Sequence, residues 1–326
     1  MAEDVTVSEE TLTNGLSLLV KVGKVLLETA QQDAQGQCDQ MTGLKTNGHA
    51  ASLRNFVPHK ITTLFGLITA GTDFYKRLGV KKRTEAEAIW QKFYHHAAVR
   101  EQLEDLLQLE VRTRRWDSFL ESVDRGLQTH DGQLSGGRTT DCLSPDTVFT
   151  DARSGRSVTL GQYLGRGQML LLVVMRHFGC LASRDHLAEL GVSQADLQAR
   201  SVRVLVVSFG SLEGAQLWLE QTGCSFEMLL DPQRKIYKGF GLGSSYAKVM
   251  KFECLLQCSE YGAVDRDFPD VPSRLLEDIF QMGGDFLLDE AGKVVFSHPT
   301  KTPMDNPTVT DILQAVDAAG CSTPSA

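Results

Sequence analysis

Cys180 is the residue of this chain best placed for chemistry. The seven residues Met169–Met175 are apolar without alternation, which predicts a strand covered on both faces, and Gly179 allows a tight turn after it. The segment Ser183–Leu190 has the pattern of a helix. A thiol at such a junction lies among unpaired backbone N–H groups at the positive end of a helix dipole, and both favour the reactive thiolate. The sequence therefore predicts a redox-active cysteine.

Three neighbours of Cys180 belong to the predicted site. Arg176 and His177 could add positive charge beside the sulfur; the alternative for His177 is that it is simply packed. Ser183 is at a position that is most often a helix N-cap, and its hydroxyl could also hydrogen-bond the thiolate. The alternative for Cys180 is a small buried hydrophobe, a common fate of free cysteines. The candidate catalytic residues are thus Cys180, Ser183, Arg176 and His177.

The remaining cysteines offer weaker candidates. Cys254 and Cys258 are spaced i, i+4, so on a helix both sulfurs share a face. Core packing explains them better than a resolving role or a metal pair, which would need two more ligands. Cys224 is weaker still. Seven cysteines are too few and too scattered for a disulfide framework in a chain of 326 residues, so we expect mostly reduced thiols.

Composition excludes several function classes. The net charge of −8 argues against broad nucleic-acid binding, and no apolar run approaches the roughly 18 residues that span a bilayer. The acidic start lacks the basic region of a signal peptide, so we expect a cytoplasmic protein. The glycines of Gly239–Gly243 lack the strand-to-helix context of a dinucleotide loop. No cofactor and no metal are expected.

The first part of the chain reads as helical. Residues 1–30 and Ile61–Leu78 have helical periodicity, a polar linker is predicted at Gln31–Ala51, and one long helix is predicted from Thr84 to about Leu127. Nothing there suggests chemistry. The polar, glycine-rich run Thr129–Thr140 marks the predicted boundary between a helical region, 1–135, and a second domain, 136–326.

Strands and helices alternate in the second domain. The predicted strands lie near Thr147–Thr150, Met169–Met175, Val202–Phe209 and Phe226–Leu230, with a hairpin at Asp285–Ser297 and a closing helix. This order implies a mixed sheet with helices on both faces. Cys180 follows the carboxyl end of a central strand, where open α/β sheets place their sites. The predicted fold is therefore α/β and thioredoxin-like, preceded by an all-α region.

The second domain also resembles a known group. Residues 176–190 are similar to the redox segment of the peroxiredoxin-like-2 proteins and their relative selenoprotein L, which belong to the AhpC/TSA-like, thioredoxin-like proteins. Three further stretches support the resemblance, which covers about residues 140–320: Val204–Phe209, Leu230–Gly243 and Gly283–Val295.

The resemblance implies a thiol-based disulfide or peroxide oxidoreductase, with one departure. The redox motif of this group is a four-residue segment whose first and last residues are each a cysteine or a selenocysteine. The matching positions here are Cys180 and Ser183. A serine cannot resolve a mixed disulfide, so glutathione, thioredoxin or another thiol would have to reduce Cys180. The threonine that precedes the reactive cysteine of true peroxiredoxins is also absent. The alternative is a non-catalytic thioredoxin-fold scaffold whose helical region binds a protein partner, because the fold alone does not fix activity.

Overall fold

The computed structural model describes residues 7–41, 61–131 and 143–320. The chain forms two compact units: residues 1–133 with 246–267, and residues 134–245 with 268–326. Across the described ranges no helix has the length and apolar character needed to cross a membrane. The predicted boundary run Thr129–Thr140 lies largely outside the described residues.

Helices and strands are numbered in chain order. The helices are α1 Glu9–Met41, α2 Gly66–Leu78, α3 Arg83–Phe93, α4 Ala97–Asp131, α5 Leu181–Val192, α6 Gln194–Ala199, α7 Leu212–Thr222, α8 Lys235–Gly239, α9 Tyr246–Met250, α10 Phe252–Ala263, α11 Ser273–Leu276 and α12 Val309–Gly320, with 3₁₀ turns at Ile61–Phe65 and Leu160–Tyr163. The strands are β1 Val148–Asp151, β2 Ser157–Thr159, β3 Met169–Val174, β4 Val202–Ser208, β5 Glu227–Leu230, β6 Gly284–Leu288 and β7 Val294–Pro299.

The helical unit differs from the sequence prediction in two places. Helix α1 continues to Met41, so the linker predicted from Gln31 does not begin there, and the rest of that linker lies outside the described residues. The long helix predicted from Thr84 is instead two helices, α3 and α4. Between them the His96 N–H donates to the Phe93 carbonyl at 3.0 Å, a bond to the third residue back that tightens the turn.

A segment from the middle of the chain completes the helical unit. Sequence analysis assigned residues 246–267 to the second domain, but α9 and α10 cluster with the N-terminal helices. The buried carboxylate of Asp124 on α4 accepts hydrogen bonds from the Tyr246 and Ala247 N–H groups at 2.9 and 3.2 Å. A carboxylate on the first N–H groups of a helix satisfies donors that have no partner within the helix. Asp124 therefore anchors the returning segment.

The second unit is built on a seven-stranded mixed sheet in the order β2-β1-β5-β4-β3-β6-β7. Strands β3, β4 and β5 are parallel, and the outer pairings are antiparallel. Alternate residues of β3 enter two separate cores: Leu171 and Val173 pack under α5, α7 and α12, while Leu172 and Val174 pack under α8. Burial on both faces explains why this strand is apolar throughout. The predicted fold class, a thioredoxin-like mixed sheet with helices on both faces and a helical N-terminal region, is confirmed.

Candidate active site

Cys180 is the residue at which the loop after β3 turns into α5. Its backbone is extended, its N–H donates to the His177 carbonyl at 3.1 Å, and its own carbonyl accepts the first helical bond from Arg184 N–H at 3.2 Å. Cys180 is thus the N-cap of α5. The N-cap expected at Ser183 is wrong, because the helix begins two residues earlier, at Leu181. The side chain of Cys180 is 5% exposed and belongs to neither core of the sheet.

The guanidinium of Arg176 reaches the sulfur of Cys180. Its Nη1 lies 3.5 Å from Sγ, Nε donates to the Gln281 carbonyl at 3.1 Å, and Nη2 donates to the Ile279 carbonyl at 2.7 Å. Arg176 is 5% exposed, and among the described residues no carboxylate forms an ion pair with it. A buried cation normally requires an anionic partner. The nearest group that can become one is the thiol.

Close packing holds the loop that carries these residues. The ring of Phe178 fills space that a Cβ on Gly210 or Gly214 would occupy, and the Phe178 carbonyl accepts two bonds from the Arg184 guanidinium at 3.0 and 3.2 Å. A Cβ on Gly179 would lie 2.7 Å from a methyl group of Leu276. The φ of Gly179 is not positive, and the methyl group is the far end of a flexible side chain, so a larger residue here would require Leu276 to move.

His177 is near the site but adds no charge at neutral pH. Burial and the neighbouring Arg176 charge lower the pKa of His177 to about 3, so the imidazole is neutral. Its Nδ1 is buried without a hydrogen-bond partner. Positive charge beside the thiol therefore comes from Arg176.

Ser183 lies in the first turn of α5 and is 8% exposed. Within the described structure no hydrogen bond joins its hydroxyl to Cys180. Ser183 follows Cys180 by three residues, so both lie at the start of α5. The predicted hydrogen bond between the Ser183 hydroxyl and the sulfur is absent from the described structure.

No described cysteine of this unit can pair with Cys180. Cys224 precedes the amino end of β5, whereas Cys180 follows the carboxyl end of β3, which runs parallel in the same sheet. The strand length puts them on the order of 15 Å apart, far beyond disulfide reach. Burial also raises the pKa of Cys224. Cys254 and Cys258 belong to the helical unit, where Cys254 is buried. The side chains of the remaining three cysteines, Cys38, Cys142 and Cys321, lie outside the described residues.

A second buried polar pair lies beneath α5 and was missed from the sequence. His186 Nε2 lies 3.1 Å from both carboxylate oxygens of Asp285 on β6, and both side chains are at most 3% exposed. A charged residue at the start of the apolar run Gly284–Leu288 was the available signal. Within the described ranges no group of three or more His, Cys, Asp or Glu residues is arranged to hold a metal.

Comparison with known proteins gives similarities to peroxiredoxin-like proteins. A family model described as AhpC/TSA antioxidant enzyme matches residues 189–302. Peroxiredoxin-like 2C of Bos taurus is 27% identical over 169 residues, covering 50% of this chain and 74% of its own. The Arabidopsis thaliana thioredoxin-like protein AAED1, chloroplastic, is 25% identical over 186 residues, covering 55% and 73%.

Solved peroxiredoxin structures match more weakly. A cysteine-to-serine mutant of PrxQ from Xylella fastidiosa has a TM-score of 0.41 and 14% identity, and covers 56% of this chain and 97% of its own. The family match begins at Glu189, after Cys180 and Ser183. Together the sequence similarities support a place for this chain in the thioredoxin-like, peroxiredoxin-like superfamily. They also support a thiol redox function in general.

Proposed function

We propose that this protein is a thiol oxidoreductase in which Cys180 is the nucleophile. The observation that carries the proposal is the buried Arg176 guanidinium, which donates to Sγ at 3.5 Å and has no carboxylate partner among the described residues. The N-cap position adds the unpaired N–H groups of the first turn of α5. Both favour a negative charge on sulfur, and the thiolate is the form that attacks peroxides and disulfides.

The reaction follows from the chemistry of one thiolate. With a peroxide, sulfur attacks one oxygen, the S–O bond forms and the O–O bond breaks, the alkoxide leaves and takes a proton to become an alcohol, and Cys180 becomes a sulfenic acid. An external thiol then condenses with the sulfenic acid and releases water. A second external thiol displaces Cys180 from that mixed disulfide, and the two external thiols leave as a disulfide. With a disulfide substrate, sulfur attacks sulfur and one thiolate leaves.

The burial of the site favours small substrates. Cys180 is 5% exposed, and Leu276 packs against Gly179 beside it. A protein disulfide would have to enter this space with its backbone, whereas hydrogen peroxide or a small hydroperoxide needs room for a few atoms. Peroxide is therefore the preferred oxidant within the proposal.

The reductant in this proposal is an external thiol such as glutathione or thioredoxin, and the same burial of Cys180 favours the smaller of the two, glutathione. Ser183 has no sulfur and cannot form a disulfide. Cys224 precedes the amino end of β5, whereas Cys180 follows the carboxyl end of the parallel strand β3. We further propose that the nearest functional relatives are the peroxiredoxin-like-2 proteins and selenoprotein L, with Cys180 and Ser183 at their two chalcogen positions, and that the protein works in the cytoplasm.

The test compares the wild type with Cys180→Ser and with Cys224→Ser as the matched control. Peroxide consumption is measured with hydrogen peroxide and with cumene hydroperoxide, and release of glutathione is measured with a glutathionylated protein, each with glutathione and with thioredoxin as reductant. We expect turnover in the wild type and in Cys224→Ser and its loss in Cys180→Ser. Equal rates in all three proteins would refute the proposal. That result would favour the alternative, a non-catalytic interaction protein.

A further inference from the structure

A second arginine, Arg234, contacts the chain segment whose backbone carbonyls bind Arg176. Arg234 follows β5 at the edge of the sheet from which Cys180 projects, and its guanidinium stacks on the ring of Phe209 with Cζ 4.2 Å from the centroid. Its Nη1 donates to Asp278 Oδ2 at 3.0 Å and to Gln281 Oε1 at 2.8 Å. Asp278 directly precedes Ile279, and Gln281 is the other residue whose backbone carbonyl binds Arg176.

Those carbonyls are fixed by side-chain contacts on either side. Gln281 is 1% exposed; its backbone carbonyl accepts from Arg176 Nε, and its amide donates to the carbonyls of Leu242 and Met282 at 3.3 and 2.9 Å. Asp278 also accepts from the Phe280 N–H at 3.0 Å. A continuous set of hydrogen bonds therefore runs from Arg234 through Gln281 and Arg176 to the sulfur of Cys180.

Backbone strain marks the same network. Arg234 has φ +55° and Glu277, next to Asp278, has φ +50°, and both are non-glycine residues in a region that favours glycine. Such conformations are unfavourable and persist where the surroundings hold them, often at functional sites. In Arg234 the strained backbone accompanies a side chain that makes three contacts: with Asp278, Gln281 and the ring of Phe209.

We propose that Arg234 is a positioning residue for the reaction of Cys180. By holding Asp278 and Gln281 it fixes the Ile279 and Gln281 carbonyls, and these fix the Arg176 guanidinium against the sulfur. Arg234 does not contact Cys180 and acts through Arg176. This inference rests on the proposed function, since it assigns a role in the reactivity of the same thiol.

The readout is the alkylation rate of Cys180 by iodoacetamide between pH 5 and pH 10. Trypsin cleavage after Arg176 and Arg184 releases the peptide His177–Arg184, and in variants without Arg176 cleavage after Arg166 releases Gly167–Arg184 instead. Cys180 is the only cysteine of either peptide, so mass spectrometry follows this thiol alone. The variants are Arg234→Met, Arg234→Lys, Arg176→Met and the double variant.

Arg203→Met is the matched control. Arg203 is also half-buried, pairs with Glu227 at 2.7 Å through two nitrogens and lies over the Tyr163 ring at 4.7 Å, but at the amino edge of the same sheet. It therefore matches Arg234 in residue type, ion pairing and ring stacking without contacting the network. Thermal unfolding of each variant reports whether it is folded.

We expect Arg234→Met to slow alkylation at pH 7 by about 2- to 30-fold, the range of coupling through such contacts, and to move the half-maximal rate to higher pH. Arg203→Met should match the wild type. Arg234→Lys should recover much of the rate, because Arg234 makes both polar contacts through one nitrogen. The double variant should be no slower than Arg176→Met, since Arg234 acts through Arg176.

Two results would overturn the inference but not the proposed function. In the first, Cys180 alkylates as fast in Arg234→Met as in the wild type, while Arg176→Met slows the reaction. In the second, the reductions in alkylation rate from Arg176→Met and Arg234→Met multiply in the double variant. A wild-type Cys180 that alkylates like free cysteine, unaffected by Arg176→Met, would overturn both the inference and the proposed function. If Arg234→Met does not fold, Arg234→Gln takes its place, with the same expected direction and the same contrary result.

Discussion

The buried pair of His186 and Asp285 gives a test of how α5, the helix that begins at Cys180, is held on the sheet. His186 Nε2 is the hydrogen-bond donor that the described structure provides for the Asp285 carboxylate, at 3.1 Å from both oxygens. Replacing His186 with leucine would leave a carboxylate buried without a partner. Removal of one member of such a pair costs about 3–5 kcal/mol, so we expect His186→Leu to lower the free energy of unfolding by that amount.

The double variant separates the pair from the packing around it. Asp285→Val alone leaves an imidazole without its acceptor, which costs about 1–3 kcal/mol. With both groups replaced, nothing polar is left unsatisfied, and apolar replacement of a buried pair is often neutral or stabilising. We therefore expect His186→Leu/Asp285→Val to lie within about 1 kcal/mol of the wild type and to be more stable than either single variant.

Hydrogen–deuterium exchange of the β6 amides, Gly284–Leu288, measures unfolding of this unit separately from the helical one. The control is Arg203→Met, which breaks a partly exposed ion pair with Glu227 and should cost below about 1 kcal/mol. Losses in His186→Leu and Asp285→Val that simply add in the double variant would refute the reasoning, because the cost would then be lost packing and not an orphaned charge.

Two further predictions concern titration. Burial raises the pKa of Asp117 on α4 to about 6, so the fold prefers its protonated form, and stability from this group is present below about pH 4 and lost as pH rises through 6. After allowance for solvent screening of this partly exposed carboxyl group, Asp117→Asn should stabilise the protein in urea by about 1–2 kcal/mol at pH 7 and not at pH 4. The exposed Glu101→Gln is the control and should change little. His177, whose pKa burial lowers to about 3, should give NMR signals of a neutral ring at pH 5, and protonation near pH 6 would contradict its burial.

Local sequence patterns predicted the central part of the fold and the position of the thiol. The unbroken apolar run of β3 indicated a strand buried on both faces, and its two cores confirm that. The glycine, the cysteine and the helical pattern that follow it indicated a strand-to-helix junction within a few residues. Such features depend on neighbours in the chain, so spacing and residue type are enough to find them.

Contacts across the chain could not be predicted this way. Arg176 binds carbonyls of residues 279 and 281, more than 100 positions away, and His186 meets Asp285 across 99 positions. A backbone carbonyl carries no sequence signal, since every residue has one. The return of 246–267 to the helical unit likewise depends on Asp124, one of four aspartates on α4.

The contacts of Arg176 also bear on which redox state the fold would favour. Each nitrogen of its guanidinium donates one hydrogen bond, to a carbonyl or to the sulfur, but among the described residues none of these partners carries a fixed negative charge. In the proposed chemistry a thiolate neutralises the guanidinium, while a sulfenic acid or a mixed disulfide leaves it buried without a counter-ion. The reduced protein is then held more tightly than the oxidised one. Stabilisation of the reduced form makes a cysteine site a stronger oxidant. In the proposed reaction, oxidised Cys180 would therefore oxidise an external thiol readily, as a site with no second cysteine among its described residues requires.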